Sequence, residues 1–160
     1  MPERGQVTTK PFTFRIHTDG GARGNPGPAA IGVIISGSGS QTNPGLQVRV
    51  RHSAFIGETT NNVAEYTAVR EALYRFKEIL SEKKLDPESV RVVFFLDSTL
   101  VVNQLNGTFK VKDPVLRELL FSIRTLEEGV GGISYTYVPR ESNREADQLV
   151  NLALDKALYT

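Results

Sequence analysis

Apolar and polar positions along this chain switch between two periods, and the switches outline the elements. Phe12, Phe14 and Ile16 alternate with Thr13, Arg15 and His17, the period of a half-buried strand over about Phe12–Thr18. An apolar run predicts a second strand over about Ala30–Gly37. Leu46, Val48 and Val50, alternating with Gln47, Arg49 and Arg51, predict a third over Leu46–Phe55. Between these two, Gly37–Gly45 has the Gly/Ser/Asn/Pro composition that joins antiparallel strands. The period then lengthens. Tyr66, Val69, Ala72, Leu73, Phe76, Ile79 and Leu80 fill an arc of roughly 140° on a wheel of about 100° per residue, so Val63–Leu80 reads as a helix with candidate caps in Thr60-Asn61-Asn62.

Val90–Leu96 is nearly continuous apolar, as expected of a strand covered on both faces. Ser98–Leu105 reads as a short helix stopped by Asn106-Gly107. Asp113 caps a longer one to about Glu128, with Pro114 in its first position and Val115, Leu119, Ile123 and Leu126 as its core stripe. Ile133–Val138 is a fifth strand, and Ser142-Asn143-Arg144-Glu145 fits a capping box for a last helix through about Leu158. A strand–helix–strand succession calls for a right-handed crossover between parallel strands, which lays the fourth strand beside the first.

Length and composition narrow the class without naming it. A chain of 160 residues can bury about two-thirds of its unfolded surface in one core, so the expectation is a flexible tail at 1–10 and a single domain over 11–160. Met1–Lys10 lacks a hydrophobic signal core and nothing approaches the length of a membrane span, so a cytoplasmic protein with no membrane partner is expected. The absence of cysteine removes disulfides, thiolate metal sites and thiol nucleophiles. A formal charge of +1 argues against affinity built on bulk positive charge, so any grip on nucleic acid must be local. The basic row of the third strand could touch phosphates, but protection of an outer strand from aggregation is the simpler reading.

The chemistry lies in acids at the ends of these elements. The first strand stops on Asp19 and turns through Gly20-Gly21-Ala22-Arg23-Gly24-Asn25-Pro26-Gly27-Pro28, a run of glycines and prolines that would hold Asp19 at a strand terminus. Asp97 follows the fourth strand directly, so both aspartates would share the carboxyl edge where open α/β sheets place their sites. Glu65 falls within the apolar arc of its helix, where an unpaired charge would cost several kcal/mol, so it must meet a cation, a donor or a metal. Asp147 lies in the second turn of the last helix, at the border of its Ala146, Leu149, Val150 and Ala153 stripe. Four clustered carboxylates raise one another's pKa unless cations intervene. With no cysteine and two histidines, His17 and His52, an all-oxygen site selects a hard ion, Mg²⁺ being the natural candidate.

Four motifs in this order, Thr18-Asp19-Gly20-Gly21 with Gly24–Pro28, Thr59-Thr60-Asn61-Asn62-Val63-Ala64-Glu65, Leu96-Asp97-Ser98 and Asn143-Arg144-Glu145-Ala146-Asp147, make the chain resemble type 1 ribonuclease H over roughly Phe12–Ala157. The resemblance implies an α/β fold with a five-stranded mixed sheet, three antiparallel strands then two parallel, and helices on both faces. It implies a monomeric endonuclease cutting the RNA strand of RNA/DNA hybrids with two Mg²⁺ ions, Mn²⁺ being a possible substitute, and double-stranded RNA a second candidate substrate. By that likeness Asp19 bridges both ions, Glu65 and Asp97 serve the water-activating site, and Asp147 completes the other. Gly20, Gly21, Asn25, Thr60, Asn61 and Asn62 match positions that read the minor groove and the ribose 2′-hydroxyls.

The chain departs from the pattern in two places. Many members carry a histidine on the loop before the last helix, whereas Val138–Arg144 has none; Arg140 or Glu141 takes its part, or no side chain does. The basic protrusion and the separate hybrid-binding domain of some members are not visible, which makes Lys110 and Lys112 candidate phosphate contacts. Two rivals remain at this level: a catalytically silent module of the same fold that binds hybrid or double-stranded RNA, and an actin-like ATPase lobe, for which one domain is too short.

Overall fold

A computed structural model describes residues 12–38 and 47–159. The expected tail at 1–10, most of the expected linker and the first residue of the expected third strand lie outside the described residues. Five strands form one sheet in the order β3-β2-β1-β4-β5: β1 (Phe12–Ala22), β2 (Gly27–Ser38), β3 (Gln47–Thr59), β4 (Val90–Leu96) and β5 (Gly132–Tyr137). The first three are antiparallel, and β4 on β1 and β5 on β4 are parallel. Their connections run through α1 (Asn61–Glu82), α2 (Thr99–Leu105) and α3 (Pro114–Glu127), and α4 (Arg144–Tyr159) follows β5.

Strand parity sorts the two faces. Phe12, Phe14 and Ile16 bury against α1, with Phe14 edge-on to Phe76 at 5.0 Å, and the main core continues through Val33, Ile35, Val92, Phe94, Leu73 and Leu80. The opposite face receives α4 over β2, where Ile34 packs with Ala146 and Leu149, and Ala30 with Val150, Ala153 and Leu154. This contact is backbone-close: a Cβ on Gly32 would collide with the carbonyl of Ala146. Across the sheet, a Cβ on Gly20 would collide with the carbonyl of Ala64 in α1. Two glycines therefore set how near the helices come to the sheet.

Four sequence expectations are corrected. β1 does not end at Asp19 but runs to Ala22, because β2 continues to pair with it as far as Ala22↔Ala29. β4 is covered on one face only: Val90, Val92, Phe94 and Leu96 are buried, while Arg91 is exposed and Val93 and Phe95 are half-buried. In α3 the stripe is Leu116, Leu119 and Ile123, and Val115 is 54% exposed. Position 116 stands seven residues from 123, nearly two full turns, whereas 115 falls about 80° off that line. The capping box is not made. Ser142 closes a 3₁₀ turn (Arg140–Ser142), α4 starts at Arg144 with Asp147 in its first turn, and Glu145 reaches instead to Arg49 at 2.6 Å and Arg51 at 3.6 Å on β3. The basic row of β3 is thereby a clasp on α4. At the start of α1 the expected cap does form, with Thr60 Oγ1 accepting from the Val63 N–H at 3.2 Å.

Replacing Gly32 by alanine is expected to push α4 off the sheet at a cost of about 1–3 kcal/mol. Urea denaturation reads this directly, and an unchanged midpoint would show that α4 is not held by this contact.

Candidate active site

The parallel ladder between β1 and β4 ends at His17↔Phe95. Beyond it β1 continues with β2 alone, while β4 pairs for one more residue with β5 alone (Leu96↔Tyr137) before the chain turns to α2, so an opening forms between the two strands. Asp19 and Asp97 each stand two residues past that last pair, on the α4 side by parity. Glu65 arrives from α1, just beyond its first turn, carried inward by the close approach at Gly20. Carboxylate oxygens of Asp19, Glu65 and Asp97 all lie within 4.8 Å of one another. Asp147 is not in that trio, but it lines the same cleft of about 380 Å³ from α4, together with Gly20, Gly21, Asn61 and Arg140.

Packing acids this closely is electrostatically costly, and the ionisation equilibria record the cost. Burial pushes the Asp19 carboxyl up from 3.8 to about 8; the charges of Asp97 and Asp147 add to this, and a side-chain hydrogen bond with Asp147 favours the shared proton. Glu65 is raised well above its ordinary value, first by burial and then by Asp19 and Asp97, with Arg140 pulling the other way. Asp97 is raised by burial, against Arg140 and a hydrogen bond from Asn143. One oxygen of Glu65, Oε1, is sealed from solvent with no hydrogen-bond partner among the described residues. A buried carboxylate oxygen without a partner among the described residues, close to two other carboxylates, is a donor set that suits a cation.

The remaining sequence-predicted residues fall into two sets. Asn25 and Asn61 meet each other: Asn25 Oδ1 accepts from the Asn61 N–H at 2.9 Å, and Asn61 Oδ1 accepts from the Ala22 N–H at 2.8 Å. Their oxygens thus tie the β1–β2 turn to the start of α1, while both residues are exposed and their amide nitrogens have no partner among the described residues. Asn62 is exposed beside them, Thr60 serves as the cap, and Gly20 is taken up by packing against α1. Lys110 and Lys112 are exposed between α2 and α3 and do not line the cleft.

Two cleft elements were not singled out from sequence. Asn143 is 1% exposed; its Nδ2 donates to the Thr18 carbonyl at 2.9 Å and its side chain bonds Asp97, so it locks the loop before α4 onto both acid-bearing strands. Its signal was its place in the Asn143–Asp147 motif, one residue ahead of a helix. Arg23 pairs with Asp155 at 2.8 Å and with Asn151 at 3.1 Å, clasping α4 from the β1–β2 turn. Nothing local marked that contact, because its partners are 128 or more positions away.

Comparison with known proteins agrees with this geometry. A family model described as Reverse transcriptase-like matches residues 17–153. Ribonuclease HI of Halobacterium salinarum is 41% identical over 146 residues, covering 89% of this chain and 66% of its own length. The bifunctional protein Rv2228c of Mycobacterium tuberculosis is 36% identical over 142 residues, of which this chain spans 35% of the length. Among solved structures, that of LC11-RNase H1 in complex with RNA/DNA hybrid is 44% identical and superposes with a TM-score of 0.77, over 91% of this chain and 99% of that one. With these matches spanning all five strands and the four acids, the chain belongs to the type 1 ribonuclease H family.

Proposed function

We propose that the protein is an endonuclease that hydrolyses the RNA strand of RNA/DNA hybrids, with Asp19, Glu65, Asp97 and Asp147 as ligands of two Mg²⁺ ions. The observation that carries this is the convergence of three carboxylates from three parts of the fold within 4.8 Å, one of them with a buried oxygen that has no partner among the described residues. An all-oxygen donor set of this kind suits a hard divalent cation. When bound, the ion pair supplies positive charge to the attacking water and to the departing 3′-oxygen of an in-line displacement. The bond from phosphorus to the 3′-oxygen breaks as the bond to the water oxygen forms, so the products carry a 5′-phosphate and a 3′-hydroxyl.

The chain's own residues do the rest. Burial of Asp19 and Glu65 keeps bulk water from screening the site, which strengthens every charge interaction within it. Asn143 holds Asp97 beside Thr18 of β1. Arg140, on the 3₁₀ turn at the cleft wall, opposes the charge of Glu65 and Asp97 and lies on the loop before α4, a cation available to the scissile phosphate. The amide nitrogens of Asn25 and Asn61, without partners among the described residues, offer donors to a minor groove, where 2′-hydroxyls distinguish the RNA strand. Lys110 and Lys112 offer charge to backbone phosphates farther along the duplex.

Asp97→Asn is expected to lower hydrolysis of a labelled hybrid by at least a hundredfold, and EDTA to abolish it. Product mapping on hybrid, duplex RNA and duplex DNA in parallel defines the substrate, and EDTA-resistant cleavage would refute the reading. The acids also predict a pH signature without metal. A folded-state pKa above the unfolded one adds stability that is complete below the unfolded value, near 3.8 for Asp19, and is lost as pH rises through about 8. The melting temperature of the metal-free protein should therefore fall between pH 5 and 8, and Mg²⁺ at pH 8 should raise it by roughly 5–10 °C. Asp19→Asn should flatten the pH dependence and shrink the Mg²⁺ increment; a variant that keeps both would show that Asp19 is not a ligand.

A further inference from the structure

The sheet face opposite α1 is only half covered. α4 lies over β2 and β3 and also meets β1, and among the described residues no helix packs over β4 and β5 on that side, where Arg91, Ser134 and Thr136 are exposed and Val93 and Phe95 half-buried. The ladders lay this surface out in rows: Arg15–Val93–Ser134, and one step nearer the carboxylates His17–Phe95–Thr136, with Arg91 one step farther away. His17 and Phe95 are stacked, their ring centroids 4.7 Å apart at 23°. That separation equals the spacing of neighbouring strands, so the rings stand side by side with their faces turned along the sheet. The half-buried ring of Phe95 has β5 on the side away from His17, where its row neighbour Thr136 and the preceding Ser134 are small. The Arg15 guanidinium lies 6.0 Å from the Phe95 ring centre.

Charge on this face is of one sign. From Arg91 and Arg15 up to Asp19 the strands place no carboxylate on it, and Glu145, which reaches it from α4, is engaged by Arg49 and Arg51. Arg15 and Arg91 have no ion pair among the described residues. A partly exposed aromatic ring between guanidiniums without ion pairs among the described residues and a row of hydroxyls fits a polyanion that carries planar groups. We propose that this half of the sheet binds a single strand of RNA, a base stacking on Phe95, phosphates meeting Arg15 and Arg91, and the Ser134 and Thr136 hydroxyls meeting 2′-hydroxyls. None of these residues lines the carboxylate cleft, and Arg15 sits about 13 Å along β1 from Asp19, so the site is adjacent to the cleft but separate from it. It accounts for His17, which the cleft does not use: the imidazole backs the ring on which the base rests.

The test is fluorescence anisotropy with a labelled 12-nucleotide oligouridine in EDTA, which makes binding independent of metal and of cleavage. The Arg15→Ala/Arg91→Ala double variant is expected to bind at least tenfold more weakly, with a salt slope shallower by about 1.4. It should cut a blunt hybrid at the wild-type rate. Phe95→Leu should lose about tenfold while Phe95→Tyr, which keeps the ring and guards against a folding artefact, retains affinity. A DNA 12-mer should bind less tightly than the RNA; equal or tighter binding overturns the assignment to RNA. The proposal fails if the wild type shows no saturable binding, if the double variant matches it in affinity and salt slope, or if loss is confined to Arg140→Ala, which places the strand in the cleft. Sedimentation showing that the double variant abolishes a wild-type dimer also overturns it, since the patch would then be an interface between copies.

Discussion

The structure turns on the repulsion among carboxylates gathered where β1 and β4 part company. Asp19, Glu65 and Asp97 come from a strand, a helix and a strand end, and their oxygens share a space of 4.8 Å. Burial pushes all three toward their protonated forms and neighbouring carboxylates add to it, Asp147 in the case of Asp97, so the arrangement works against stability unless positive charge is added. A fold selected for stability alone would not place them there. This is strain held at a functional site and offset by the packing around it.

The surrounding packing is correspondingly tight. Gly20 lets α1 press its backbone onto β1, which brings Glu65 within reach of Asp19; Gly32 lets α4 press onto β2 from the other side, which brings Asp147 to the same cleft. The core beneath is continuous from Phe14 and Phe76 to Phe94 and Ile123. At the periphery Arg49 and Arg51 hold Glu145, and Arg23 holds Asp155, so α4 is tied at its beginning and near its end. These pairs are exposed, and each contributes no more than about 1 kcal/mol. Their value is positional: they fix the helix that carries Asp147. Asn143 does the same from inside, with one amide spanning β1 and the acid after β4.

Parity explains why one sheet face serves two ends. Thr13, Arg15, His17 and Asp19 point to one side of β1, as do Arg91, Val93 and Phe95 on β4 with Asp97 beyond. Where α4 covers this face it is apolar and small; where α4 stops, arginines, hydroxyls and the His17–Phe95 stack take over. A strand interrupted by Arg91 and ending in a half-buried phenylalanine is what a surface open to solvent requires, not the doubly covered strand that its apolar run suggested.

Period, capping and turn chemistry are properties of a few consecutive residues, and they were enough for the order of the five strands and four α-helices among the described residues, the parallel placing of β4 beside β1, the buried arc of α1, and the anomaly of Glu65 on that arc. They also marked the four acids, because each lies within or beside a short motif whose local pattern is strong, even though Asp19 proves to stand inside β1 and not at its end. What they could not decide was anything set by a partner far along the chain. β1 runs past Asp19 because β2 offers it a ladder; Val115 faces out because α3 docks through Leu116; Glu145 leaves its cap for Arg49, 96 positions away. The spacing of the carboxylates, the orphaned oxygen of Glu65 and the lock supplied by Asn143 arise only when helices meet the sheet from both sides. Local sequence chooses the pieces, but distances between charges are decided by packing, since only a folded backbone can hold repelling groups closer than water would allow.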